Sequence, residues 1–140
     1  MFSLYALLGP DSPEITTDWL AAEFRDGFSG DENFRLTMVQ LPFLKEPSVT
    51  LRWGSWLARV TYEEGDRIEE DSRHIQDVIG GSVPFDVSKI RRRIRVVFSD
   101  DDAHEFTNEI ILVIDVLSAI DGVVLFDPQR NGIWHDTSVA

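Results

Sequence analysis

The chain of 140 residues contains no cysteine, which excludes disulfide bonds, zinc sites built on thiolates, iron–sulfur clusters and thiol nucleophiles. Positive charge is also scarce. Only 13 lysines and arginines stand against 25 acids, so the net charge is −12 at pH 7. Phosphate backbones are bound by net cationic surfaces, and nucleic acid is therefore not expected as a partner.

Long apolar runs are missing as well. No stretch approaches the roughly 18 residues of a membrane-spanning helix, and the apolar start at residues 1–8 lacks the basic flank and cleavage site of a signal peptide. We therefore expect a cytoplasmic protein with no membrane partner. Hydrophobic residues at 43% and aromatic residues at 11% suffice for a core, which excludes global disorder.

The spacing of apolar residues predicts three helices and several strands in a chain of single-domain length. The helices are expected after Ile15, over residues 66–79 and around residues 106–117. Alternating or continuous apolar runs predict strands near residues 2–8, 34–41, 49–62, 90–98 and 123–126. Gly54-Ser55 fits a type II′ hairpin turn with Trp53 and Trp56 facing each other, and a bulge within one long strand is the alternative.

This order favours an α+β fold, with a mixed, mainly antiparallel sheet and three helices packed over one of its faces. The expected topology is ferredoxin-like or an elaboration of it. The third helix is apolar nearly all round, so we expect it to be the most buried. Residues 1–135 are expected to form one domain, and residues 136–140 a flexible tail.

The strongest anomaly of composition is a run of six acids within nine residues at the start of the second helix. Acids there stabilise a helix through its dipole, so a solvated helix start explains the run without any function. The functional interpretation is a docking surface for a basic protein, because complementary potentials steer association. Trp56 is a possible apolar anchor, although tryptophans more often pack in cores. The candidate partner-binding residues are Glu63, Glu64, Asp66, Glu69, Glu70, Asp71 and Trp56.

Two further clusters have simpler explanations than a site. Residues 100–105 offer carboxylates and an imidazole to a divalent ion, but three adjacent acids do not easily aim at one ion, and helix capping accounts for them. Arg91, Arg93 and Arg95 could hold an anion, but pairing with some of the 25 acids is the simpler use. No catalytic motif is present, so we expect no enzyme, no cofactor and no metal.

Several segments together resemble small acidic bacterial immunity proteins of polymorphic or contact-dependent toxin systems. The resemblance rests on the opening FSLYALL, the hairpin LRWGSW, the segment Tyr62–Gly65 leading to Asp71-Ser72, the strand Arg93–Arg95, and the ending VLFDPQ with Ile133-Trp134. It implies a single-domain cytoplasmic protein without catalysis that binds and blocks one toxin domain. The alternatives are a small metal-dependent or phosphate-handling enzyme, and a homo-oligomeric subunit that associates through Trp53 and Trp56.

Overall fold

The computed structural model describes residues 2–83 and 85–134, so the expected tail at 136–140 and residue 135 lie outside it. The helices are α1 (Thr17–Gly27), α2 (Asp66–Ile79) and α3 (Thr107–Ser118), with short 3₁₀ turns at Gly80–Ser82 and Val87–Lys89. The strands are β1 (Phe2–Leu8), β2 (Phe34–Val39), β3 (Ser48–Trp53), β4 (Trp56–Glu64), β5 (Arg92–Phe98), β6 (Val123–Asp127) and β7 (Gly132–Ile133).

The described strands form one seven-stranded sheet in the order β2-β3-β4-β5-β1-β6-β7. Every pairing within it is antiparallel, so the sheet is not mixed. β5, α3 and β6 form a split β-α-β unit, because β1 lies between the two strands that α3 connects. The α+β class is therefore confirmed, in a sheet larger than the four strands of the simplest ferredoxin-like arrangement.

The helices cover both faces of this sheet, and the prediction of a single covered face is wrong. Leu4, Ala6 and Leu8 of β1 belong to the main core, which α1 and α3 complete, whereas Leu7 packs with Ile75 of α2 in a smaller second core. Successive residues of a strand point to opposite faces. A strand buried on both faces has a continuous apolar sequence, and the opening run of this chain is of that kind. We name the two sides of the sheet the α1/α3 face and the α2 face.

α3 lies at the surface beside α1 and is less buried than the sequence predicted. Val113, Ile114 and Leu117 are its buried residues. Ile111 and Leu112, on the opposite side of the helix, are 43% and 44% exposed. The nearly continuous apolar surface of α3 is thus only half used for internal packing. None of the described helices has the length and apolar character needed to cross a membrane.

The turn between β3 and β4 is the predicted two-residue hairpin. Gly54 has a φ of 63°, which glycine adopts without strain and which the first central residue of a type II′ turn requires. Trp53 and Trp56 are paired directly across the ladder, with ring centroids 5.6 Å apart. A bulge in one long strand is therefore excluded.

Gly9, which follows β1, provides a test of the packing between the two cores. A Cβ at this position would lie 2.6 Å from the carbonyl oxygen of Gly122 and 2.7 Å from Cζ of Phe85. We expect Gly9→Ala to lower the free energy of unfolding by about 1–3 kcal/mol, because the backbone at Gly122 or the ring of Phe85 must shift to make room for the added Cβ. Gly30→Ala is the matched control, since a Cβ there has no neighbour within 4 Å. Urea denaturation measures both, and equal stabilities would contradict this packing.

Candidate functional site

The acidic run spans the end of β4 and the start of α2, and β5 lies directly beside it. In the β4–β5 ladder Glu63 is opposite Arg93, and Glu64 is opposite Arg92. Since side chains alternate along a strand, Glu63 and Arg93 both lie on the α2 face. The acidic run and the arginine strand, which are separate in the sequence, therefore meet in one place.

Arg93 occupies the centre of this place. Its side chain is 6% exposed, and its Nε donates a hydrogen bond of 2.9 Å to Oε1 of Glu63. NH1 of Arg93 lies 3.1 Å from Oδ2 of Asp71 on α2, an ion pair that is not aligned as a hydrogen bond. The guanidinium carbon also lies 4.2 Å from the centroid of the Tyr5 ring, a cation–π contact. One arginine of β5 thus contacts β1, β4 and α2.

Arg91, just before β5, makes a second pair of contacts with α2. Its NH2 donates to Oδ1 of Asp66 at 2.6 Å, and its NH1 donates to Oε2 of Glu69 at 2.9 Å. These two hydrogen bonds raise the pKa of the Arg91 guanidinium. Arg95 reaches Glu63 at 3.7 Å. The prediction that these arginines pair with acids of the same chain is confirmed.

This pairing removes most of the charge from the predicted docking surface. Four of its six acids contact arginines, namely Glu63, Asp66, Glu69 and Asp71. Over residues 61–98 as a whole, eight acids are balanced by seven lysines and arginines. The densest run of acids in the sequence is therefore close to neutral in the folded protein.

Trp56 does not lie with the acids. It is 5% exposed and packs in the main core, on the α1/α3 face of the sheet. Its ring stacks on Phe106 at a centroid distance of 4.5 Å, and its Nε1 donates to the carbonyl oxygen of Ser99 at 3.1 Å. Trp53 is similarly buried, at 4% exposure. Neither tryptophan is placed to anchor a partner on the surface.

The prediction that the acids at residues 100–105 cap α3 is wrong, because no side chain caps this helix; Asp101 instead holds the loop before it. Oδ1 of Asp101 accepts a hydrogen bond of 2.9 Å from the amide of Glu105, and Oδ2 accepts one of 3.0 Å from the amide of Phe106. Both oxygens of this carboxylate are thus engaged by backbone donors. Within residues 2–83 and 85–134, no group of three or more His, Asp or Glu side chains is placed to hold a metal ion.

The segments that contain α1 and α3 carry most of the net negative charge. Residues 9–33, which contain α1, carry seven acids and one arginine, and residues 99–129, which contain α3, carry eight acids and no lysine or arginine. Asp18, Asp26 and Asp115 are exposed on these helices. The exposed Ile111 and Leu112 lie within one helical turn of Asp115. Counting charge by predicted element would have found this concentration, which a search for short runs misses.

A cavity of about 750 Å³ opens where β1 ends and β5 begins. Its lining mixes apolar residues such as Leu8 and Phe85 with charges of both signs. Arg92, one of its cations, is held by hydrogen bonds to the carbonyl oxygens of Ser12 at 3.1 Å and Pro13 at 3.0 Å. The size suits a small ligand, but the mixed charges indicate no chemical class.

No protein-family model matches the sequence, and neither the curated proteins nor the solved structures give a significant match to the chain.

The buried position of Arg93 predicts an unequal effect of two similar substitutions. We expect Arg93→Met to lower the free energy of unfolding by about 2–4 kcal/mol, because Glu63, 17% exposed, loses its main counter-charge. Arg91→Met is the matched control and should cost less than about 1 kcal/mol, since Arg91 and Asp66 are 51% and 94% exposed. Urea denaturation of both variants measures the difference, and equal losses would show that Arg93 has no special position.

Tyr62 at the end of β4 predicts a dependence of stability on alkaline pH. Burial, together with the hydrogen bond of 3.0 Å that its hydroxyl donates to Glu64, raises the pKa of Tyr62 from 10.0 to about 12. A raised folded-state pKa means that this contribution is full below about pH 10 and is lost as the pH rises toward 12. Absorbance titration should show one of the two tyrosines ionising late. Tyr62→Phe should remove that step and Glu64→Gln should shift it to lower pH; no change in either variant would refute the assignment.

Proposed function

We propose that this chain is a non-catalytic binding protein that docks a basic protein on its α1/α3 face. The resemblance to immunity proteins extends the proposal: the partner is a bacterial toxin domain, which the chain neutralises in the cytoplasm. The observation that supports it is the concentration of acids on the segments of α1 and α3, around two exposed apolar side chains.

The charge of this face suits association with a cationic surface. Fifteen acids and a single arginine lie in residues 9–33 and 99–129. A potential of one sign steers an oppositely charged protein to the surface and disfavours wrong partners. Toxins that act on nucleic acid need cationic groups for phosphate, and carboxylates of an inhibitor can occupy the same positions through charge-assisted hydrogen bonds.

Ile111 and Leu112 supply the apolar contact area that charged side chains alone do not provide. Interfaces combine an apolar centre with a polar rim, and the centre contributes most of the binding energy. Both side chains are more than two-fifths exposed on α3, and Asp115 lies one turn further along the helix. The α1/α3 face therefore has the composition of a docking surface. The acids at residues 63–71 are a weaker candidate, because four of them contact arginines of the same chain.

The two alternatives have less support among the described residues. The metal-dependent enzyme relied on residues 100–105, where the Asp101 carboxylate is engaged by two backbone amides. The homo-oligomer relied on Trp53 and Trp56, which are 4% and 5% exposed. The binding protein is the hypothesis that keeps an exposed surface of suitable chemistry.

Capture of the partner followed by a growth assay tests the proposal. The tagged chain is used to recover proteins from a lysate of its source bacterium at low salt and then at raised salt, and a basic polypeptide should be retained in the first and released in the second. Expressed alone, that polypeptide should arrest growth, and co-expression of this chain should restore it. A partner without toxicity, or toxicity that the chain does not relieve, would refute neutralisation.

Charge reversal then distinguishes the α1/α3 face from α2. Asp26→Lys/Asp115→Lys and Glu70→Lys/Asp77→Lys change four exposed acids in two matched pairs, with the same change in net charge. We expect the first pair to slow association with the purified partner about tenfold or more at low salt, and the second to have a much smaller effect. Stopped-flow kinetics measure both. Equal slowing, or a larger effect of the α2 pair, would move the interface away from α1 and α3.

A further inference from the structure

The α2 face of the sheet is covered only in part, and its open part is basic. α2 packs over β4, β5 and β7. On β2 and β3, residues of the same face, including Arg35, Thr37 and Arg52, are exposed. Neither β2 nor β3 contains an acid. A chain with a net charge of −12 thus keeps a region of opposite charge on the side away from its acidic helices.

Four buried polar atoms on this face have no hydrogen-bond partner within the described residues. NH1 of Arg93 lies beside the Asp71 carboxylate, and the other three are Oγ1 of Thr50, Nε of Arg59 and Nε of Arg95. Thr50 on β3, which is 2% exposed, lies directly opposite Arg59 on β4. Arg59 is opposite Val97 of β5 and hence diagonal to Arg95. Opposite residues in a sheet are about 5 Å apart and diagonal ones about 7–8 Å, so the three side chains border one spot.

The arginines of this face differ in how many partners they contact, and those beneath α2 have more partners than those outside it. Arg93 contacts two carboxylates and an aromatic ring. Arg95 reaches one carboxylate oxygen, at 3.7 Å. Arg59 has no ion-pair partner in residues 2–83 and 85–134. Buried donors without acceptors carry a free-energy cost that most native proteins avoid, and an acceptor from outside the chain would remove that cost.

We propose that Thr50, Arg59 and Arg95 form a binding site for an oxyanion, a phosphate or a carboxylate group. The guanidinium groups of Arg59 and Arg95, whose side chains are only partly buried, are suited to the oxygens of such an anion, and arginine binds both kinds of group by charge-assisted hydrogen bonds. Thr37, opposite Thr50 on β2, lies on the same open face beside the site. The site is on the opposite side of the sheet from the α1/α3 face, so it does not depend on the proposed function.

Titration of the whole chain with inorganic phosphate and with citrate, at constant ionic strength, tests the site. We expect calorimetry to show one bound anion per chain, and Arg59→Met to weaken its binding about tenfold or more. Arg73→Met, which removes an exposed arginine of α2, is the matched control and should bind as the unchanged chain does. Binding of phosphate alone assigns the site to a phosphoryl group, and binding of citrate alone assigns it to a carboxylate. Failure of both anions to bind, or equal binding by all three proteins, would overturn the proposal.

Thermal unfolding separates loss of the site from loss of the fold. In chloride buffer Arg59→Met should melt at the same temperature as the unchanged chain or at a higher one, because the variant no longer buries an unpaired donor. The binding anion should raise the melting temperature of the unchanged chain and of Arg73→Met, but not that of Arg59→Met. A marked drop in the melting temperature of Arg59→Met in chloride would show a structural role for Arg59 and would also overturn the proposal.

Discussion

The buried guanidinium of Arg93 is the interaction on which the placement of α2 depends. α2 has few large apolar residues, and its buried positions are Ile68, Ser72, Ile75 and Ile79. Ile75 and Ile79 pack in the second core, and Arg93 adds a link to β4 through Asp71 and Glu63. A charge taken out of water is tolerated only with partners, and these partners also set the position of the helix. Two of the six acids that look like a docking surface in the sequence, Glu63 and Asp71, satisfy this requirement, and Asp66 and Glu69 pair with Arg91 instead.

Much of the local structure could be predicted because the signals were local. The helix expected after Ile15 begins at Thr17, α2 has the predicted bounds, and Gly54 makes the predicted turn. The class of the fold followed from the order of these elements. The covering of both faces was missed, although the continuous apolar run of β1 is the sequence signal for it.

The candidate site was harder to predict, because charge compensation is a property of neighbours in space. Glu63 and Arg93 are thirty positions apart in sequence and adjacent only through the β4–β5 register. Trp56 was ambiguous for a similar reason, since its burial depends on Phe106, which is brought to it by the packing of the segment before α3. Most of the acids in the segments of α1 and α3 are dispersed along the sequence, so the denser run at residues 63–71 drew attention away from their larger number.

The position of β1 has a consequence for how the chain reaches this fold. β1 precedes the other six described strands in the sequence, but its two neighbours are β5 and β6, which come more than 80 residues later. The β2-β3-β4 hairpins are local and can form on the ribosome as the chain emerges, whereas the apolar β1 has no strand to pair with until the last third of the chain is made. Until β5 and β6 have been made, the backbone edges of β1 are unpaired, which favours aggregation. The sheet is therefore completed only after β6 has left the ribosome.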